Sequence, residues 1–242
     1  MKMKITLPDN SSRELPEGSS GYDLAKDIGP GLAKSAVAVT IDGVQKDLHD
    51  EIMTDSSVSI ITIDSDEGLE IMRHTLTAQV LARAIKNLYP KSKLAIGPTI
   101  EDGFYYDVES EEVISSDDLN KIEEEMKKII KSKSSITKKL VSKSEAMKVF
   151  KSNKEPYKEI IINESDQDDN FQLYYQEDEK FVDLCRGPHL PNLGFIGSFK
   201  LTKVSGAYWK GDSNNSMLTR IYGTAFNSDK DLQQHLDNLE EA

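Results

Sequence analysis

The periodicity of the sequence changes at Asp64-Ser65-Asp66-Glu67-Gly68. Before this polar joint, apolar residues recur at every second position in short runs. After it, from Leu69 to Pro90, they recur at helical intervals. A strand repeats its faces every second residue and a helix about every 3.6, so one pattern cannot continue the other within an element. The joint therefore divides the chain into a small unit, 1–63, and a larger one starting at 64, and 242 residues are enough for two cores.

In the first unit, Lys2-Met3-Lys4-Ile5-Thr6-Leu7 alternates polar and apolar residues, and Pro8 to Ser12 turns the chain into a second strand at Arg13-Glu14-Leu15. Tyr22, Leu24, Ala25 and Ile28 are spaced for a short helix that Gly29-Pro30-Gly31 stops. Ala36 to Ile41 turns at Asp42-Gly43, and Val58 to Ile63 forms a last strand. This order fits a β-grasp, ubiquitin-like fold.

In the second unit His74, Ala78, Leu81, Ile85 and Leu88 share one helical face, so His74 is expected to point inward. Strands follow at Ala95 to Ile100 and Gly103 to Val108, then a helix over 116–131. Ser142 with Glu145 caps another helix, and Ser228 with Asp231 caps a last one. The expected class is α+β, with the last helix, bearing Leu232, His235, Leu236 and Leu239, starting within 227–242. Lys158, after Pro156 and Tyr157, is expected at the surface, and the Lys-rich run 127–143 reads as a solvated helix face. His49 and His235 have no chemical company and read as structural.

Chemistry concentrates in Phe181-Val182-Asp183-Leu184-Cys185-Arg186-Gly187-Pro188-His189, which holds the only cysteine and one of four histidines. A Cys-x3-His pair suits a metal, a nucleophile with its base, or a pocket that positions water; it also suits a buried cysteine beside a turn. A net charge of −12 argues against broad binding to nucleic acid or anionic membrane, so any RNA contact must be local. One candidate is Phe199 to Asp212, where lysines alternate with aromatics such as Tyr208 and Trp209; an amphipathic strand with a core tryptophan fits as well. One cysteine forms no internal disulfide, and no apolar run resembles a signal peptide or a membrane span, so a cytoplasmic location is expected.

Three segments in order, Gly68-Leu-Glu-Ile-Met-Arg-His74, Asp183-Leu-Cys-Arg-Gly-Pro-His189 and Ser205-Gly-Ala-Tyr-Trp-Lys-Gly-Asp-Ser-Asn-Asn215, resemble the bacterial threonyl-tRNA synthetase family. The resemblance covers essentially the whole chain. It implies a TGS (β-grasp) domain at 1–63, an editing domain shared with alanyl-tRNA synthetase at 64–226, and at 227–242 the start of a linker helix toward an aminoacylation core. The activity it implies is hydrolysis of serine wrongly esterified to threonine tRNA. A pocket that accepts threonine gains only about 1–3 kcal/mol against a substrate one methyl smaller, so a second site must correct the error. Carried over by motif, His74, Lys158 and His189 are the catalytic candidates, and Cys185, Asp183, Tyr106 and Gln79 the substrate-binding ones. The implied partners are the serine-carrying acceptor end of threonine tRNA and the rest of the synthetase, with no membrane. ATP and zinc go with the aminoacylation core, and no cofactor is implied for editing.

The sequence departs from the family where its first helix carries His-x3-His. Here His74-Thr75-Leu76-Thr77-Ala78-Gln79 has no second histidine and one extra residue, so Gln79 aligns with the missing imidazole but lies five residues on. In a regular helix Ala78 takes the inward place. A π turn between His74 and Gln79 would absorb the extra residue and is expected there. Three possible ligands remain, His74, Cys185 and His189, a set compatible with zinc plus water, although the family's editing implies none. A binding module that has lost hydrolysis is the alternative reading.

Overall fold

A computed structural model describes residues 1–242. In the first unit, β1 (Lys2–Thr6) and β2 (Ser12–Pro16) form the expected hairpin, followed by α1 (Gly21–Ile28), α2 (Pro30–Ser35), β3 (Ala36–Ile41), β4 (Val44–Asp47) and β5 (Ser56–Thr62). The sheet runs β2-β1-β5-β3-β4 with β1 and β5 parallel, the β-grasp arrangement. Ser20 and Asp23 cap α1 reciprocally, and Leu24 and Ala25 pack it on Met3, Ile5, Val39 and Val58. The Gly29-Pro30-Gly31 break ends α1 but does not start a loop. Pro30 opens α2 at once, because its fixed φ suits a first helical position, where no N–H is required.

The joint is tight. Ser65 caps α3 (Asp66–Thr75) by accepting from the Gly68 N–H at 3.0 Å. A Cβ on Gly68 would sit 1.9 Å from the Thr62 carbonyl oxygen, so only glycine lets the helix cross the end of β5. After α3 come a π turn (Leu76–Leu81) and α4 (Ala82–Leu88). The chain then forms β6 (Lys93–Leu94), β7 (Thr99–Ile100), β8 (Gly103–Glu109), α5 (Leu119–Lys131), β9 (Ile136–Val141), α6 (Lys143–Ser152) and α7 (Pro156–Glu164). It ends with β10 (Phe171–Gln176), β11 (Val182–Leu184), β12 (Ser198–Tyr208), β13 (Met217–Phe226) and α8 (Asp229–Glu241).

Two sheets frame this unit, β12-β13-β8-β6 with β7 on β8, and β11-β10-β9. The α3–π–α4 rod lies between them, and its buried side chains, Met72, Leu76, Val80 and Ile85, join Phe104, Tyr106 and Ile221 in the largest core. Val37, Ala38 and Ile61 of the first unit belong to the same core, so the two units pack as one body rather than as beads on a linker. Three sequence expectations need correction. The helix expected over 116–131 is α-helical only from Leu119 to Lys131 (α5), its first three residues, Ser116–Asp118, forming a 3-10 turn. The Lys-rich run is divided between the end of α5 and strand β9. Lys158 is not on the surface: α7 begins at Pro156, turns the side chain inward, and leaves the residue 3% exposed. No helix is long and apolar enough to cross a membrane.

Candidate active site

A cavity of about 790 Å³ opens between the α3 rod, α7 and the segment around β11; His74, Ala78, Lys158, Asp183, Cys185 and Arg186 are among the residues lining it. Each is delivered by a different local device. His74 lies in the last turn of α3. Lys158 lies in the first turn of α7, which Pro156 starts. Asp183 is the middle residue of β11, its inward face fixed by pairing with Tyr174. Cys185 follows the strand, with its Sγ accepting the Gly187 N–H at 3.2 Å. Gly187 has φ +66, and a Cβ there would meet the Tyr174 Oη at 2.1 Å, so the turn toward His189 needs glycine twice over.

One wall is charged. Lys158 Nζ lies 2.9 Å from Asp183 Oδ1 and donates to Tyr106 Oη at 3.0 Å, and Tyr106 donates to Asp183 Oδ2 at 3.4 Å. The Leu184 N–H gives Asp183 a further donor at 2.8 Å. An ion pair this deep needs such added hydrogen bonds to offset the loss of water around both charges. Burial, then the neighbouring Asp183 carboxylate, pushes the Tyr106 phenol well above its ordinary value, so it stays a hydroxyl and bridges the pair.

The other wall is neutral. His74 Nε2 and Cys185 Sγ are 3.1 Å apart, and the His74 and His189 rings pack at a 44° tilt with 4.6 Å between centroids. Burial lowers the His74 imidazole below its ordinary value despite the carboxylates of Asp183, Glu70 and Asp47. Burial, and then His74, lowers His189 further. Burial also raises the Cys185 thiol to about 12, against the Gly187 N–H that favours thiolate. Cys185 is therefore a thiol at neutral pH and a poor nucleophile. The donor atoms of His74, Cys185 and His189 lie within 4.8 Å of one another, and the buried His189 Nε2 has no partner, so the three could face one metal ion. The donor set fits zinc with a fourth position open.

The structure brings His74, Lys158, Asp183 and Cys185 to the cavity, as expected from the motifs. It corrects the other three. His189 is 2% exposed and stands behind His74, with Nδ1 2.9 Å from Thr75 Oγ1, so it supports the wall rather than forming it. Tyr106 is fully buried and reaches the cavity only through Lys158 and Asp183. Gln79 is also fully buried. The expected π turn exists, but it does not aim Gln79 at the cavity: its Oε1 accepts from Gln176 Nε2 at 3.2 Å, and its Nε2 reaches the Tyr174 carbonyl weakly at 3.5 Å. Strand β10 offers the amide partners that the cavity does not, and Ala78 lines the cavity in its place.

Three supporting residues carry no sequence signal. Thr75 Oγ1 joins His189 to the Leu190 N–H at 3.0 Å, Tyr174 packs edge-on against His189 at 4.5 Å, and Asp47 reaches over from the first unit to accept the His189 N–H at 2.9 Å. All are contacts between residues far apart in the chain, which no local pattern encodes. Farther out, Trp209 is not a free stacking platform, because it packs edge-on against Tyr157 at 4.9 Å; Tyr208, Lys200 and Lys203 are exposed.

Residues 3–62 match the family model of the TGS domain, and residues 172–222 match that of the threonyl and alanyl tRNA synthetase second additional domain. The chain is 49% identical over 238 residues to the threonine–tRNA ligases of Hahella chejuensis and Saccharophagus degradans, covering 98% of this chain and 37% of each relative. It thus spans little more than a third of the length of the curated relatives it matches.

Proposed function

We propose, from the premise that this chain carries the TGS and second additional domains and belongs with the N-terminal region of bacterial threonyl-tRNA synthetase, that its cavity hydrolyses serine from mischarged threonine tRNA. The observation that supports this most is the convergence on one 790 Å³ cavity of a buried ammonium–carboxylate pair and a neutral imidazole. That volume falls within the range of about 300–1,000 Å³ usual for small-ligand sites, suited to a terminal adenosine with its seryl ester.

Water attacks the ester carbonyl carbon, the bond from that carbon to the ribose oxygen breaks, and the proton from water ends on the ribose hydroxyl. His74 Nδ1 makes no hydrogen bond within the chain, so it is the nitrogen open to the water while Nε2 is held at the Cys185 sulfur. Two of the three Lys158 donors are taken by Asp183 and Tyr106. The third is left for the carbonyl oxygen as negative charge develops on it. Asp183 keeps acceptor capacity on Oδ2 for the seryl ammonium. Cys185 shapes the space beside the seryl side chain and limits its size. If zinc binds at His74, Cys185 and His189, it supplies a Lewis acid that polarises the water; the residue roles above need none.

Single-turnover deacylation of seryl- and threonyl-tRNA by this chain tests the reading. Release of serine faster than threonine is the expected outcome; equal background release of both sinks it. Ala78 in the wall where an imidazole would sit favours a second reading, an acceptor-end binding module without hydrolysis. Saturable binding without turnover in the same assay would select it.

A further inference from the structure

Asp47 is the last residue of β4, in the first domain, and its seat is rigid. Its N–H donates to Asp50 Oδ2 at 3.2 Å, the Asp50 N–H returns to its carbonyl at 3.1 Å, and the Tyr22 N–H holds the next carbonyl, that of Leu48, at 3.0 Å. From this turn the carboxylate crosses to the second domain. Oδ1 accepts the His189 N–H at 2.9 Å, Oδ2 accepts the Tyr174 hydroxyl at 2.7 Å, and Lys138 Nζ stands 3.2 Å away.

These contacts converge on one loop. Tyr174 presses edge-on against the His189 ring, and its oxygen sits beneath Gly187, whose N–H is bound to the Cys185 sulfur. His189 in turn backs the His74 ring, which faces the cavity. A side chain of the β-grasp domain thus sets the backbone at one end of the loop that carries Cys185 and His189. A second interdomain contact lies beside it without touching that loop: Lys138 bonds Asp50 at 2.8 Å.

We propose that Asp47 is a positioning residue for the editing site, so that the hydrolytic centre is completed by the first domain rather than contained in the second. The proposal rests on the deacylase reading for its kinetic consequence but not for its structural one. Releasing the loop lets His74 and Cys185 drift, and misplacement of catalytic groups on the order of 1 Å can cost about 100-fold in rate.

The full chain is compared as wild type, Asp47→Ala, Asp47→Asn and Asp50→Asn. Two readouts are used: deacylation of seryl-tRNA, and amide hydrogen exchange at His189. The expected result is a loss of kcat of about tenfold or more in Asp47→Ala with KM within about twofold, because orientation and not binding is lost. Asp47→Asn, which keeps an oxygen for the His189 N–H, recovers part of the rate. Asp50→Asn, which weakens the interdomain pair with Lys138 but keeps a side-chain oxygen for the Asp47 N–H, behaves as wild type. Exchange at the His189 amide speeds up about tenfold or more in Asp47→Ala and not in Asp50→Asn. A wild-type kcat in Asp47→Ala, an equal loss in Asp50→Asn, or a loss carried by KM overturns the proposal. If Asp47→Ala does not fold, Asp47→Asn is read against Asp50→Asn by the same criteria. If the wild-type chain releases no serine, the deacylase reading falls on its own, and unaltered exchange at His189 in Asp47→Ala still refutes the clamp.

Discussion

On one side of the cavity, α7 and β11 bury formal charges: Lys158 and Asp183 sit 2.9 Å apart with Tyr106 bridging them. On the other, α3 and the loop after β11 bury groups that burial keeps neutral, the imidazoles of His74 and His189 and the thiol of Cys185. The difference divides the chemical labour. A fixed ammonium in a water-poor site offers a field for charge that develops during reaction. A neutral imidazole offers the opposite, an unoccupied lone pair for a proton. The two walls also fail differently when cut, because a buried charge left alone is far more costly than a buried neutral group left alone.

The largest effect belongs to the charged wall. Lys158→Met should lower single-turnover deacylation by about 10³-fold, since one preorganised donor to a developing oxyanion is worth about 10²–10³. It should also destabilise the fold by about 3–5 kcal/mol in urea titrations, because Asp183 is left as an uncompensated buried carboxylate. Adding Asp183→Leu removes that charge. The double variant should regain most of the stability and none of the activity. If it regains neither, the pair matters through packing and the charged wall is misread.

Cutting the neutral wall should cost less. His74→Ala is expected to slow deacylation by about 10²-fold, at the lower end for a general base, with little loss of stability. The pH profile carries the sharper test. Burial holds the folded His74 pKa below its ordinary 6.5, so the rate should be flat through pH 6.5 and fall only below it. Stability follows the same sign. Between the folded and unfolded pKa values the unfolded chain binds more protons, so the contribution of neutral His74 and His189 is complete above about pH 6.5 and is lost as pH falls below it. A kinetic limb centred at or above 6.5 would mean that this wall is not neutral.

The walls were not equally legible in the sequence. The order of elements that fits a β-grasp and the inward face of His74 follow from local spacing, and the crowding of reactive side chains from Asp183 to His189 marks the loop of the neutral wall, although the family motif is needed to assign it to the site. The charged wall depends on α7. With Pro-Tyr-Lys followed by Glu and three isoleucines, that helix has no sharp apolar stripe, so nothing local marks Lys158 as buried. Only the family motif selected it. Asp47 was invisible for another reason: it meets His189 across 142 positions, and a turn aspartate looks the same whether or not it clamps a loop. The π turn was legible as an insertion in the helix, but its consequence was not, since only the fold shows that Gln176 competes for the Gln79 amide.

That competition makes Gln79→His the finest test of where the neutral wall ends. Alignment with the family would put an imidazole at 79 beside His74, and restoring it would then be expected to speed hydrolysis. In this structure residue 79 faces Gln176 and the Tyr174 carbonyl, with no exposure and no share in the cavity. The rate should therefore change by no more than about twofold, under about 0.5 kcal/mol of barrier. Stability should drop by about 1–3 kcal/mol, because Gln176 Nε2 loses the side-chain oxygen it shares and keeps only the Gln79 carbonyl at 3.0 Å. An acceleration of tenfold or more would place the ring in the cavity. It would show that the π turn can rotate residue 79 past Ala78 once the amide no longer binds β10, and the neutral wall would then extend one turn further along the helix.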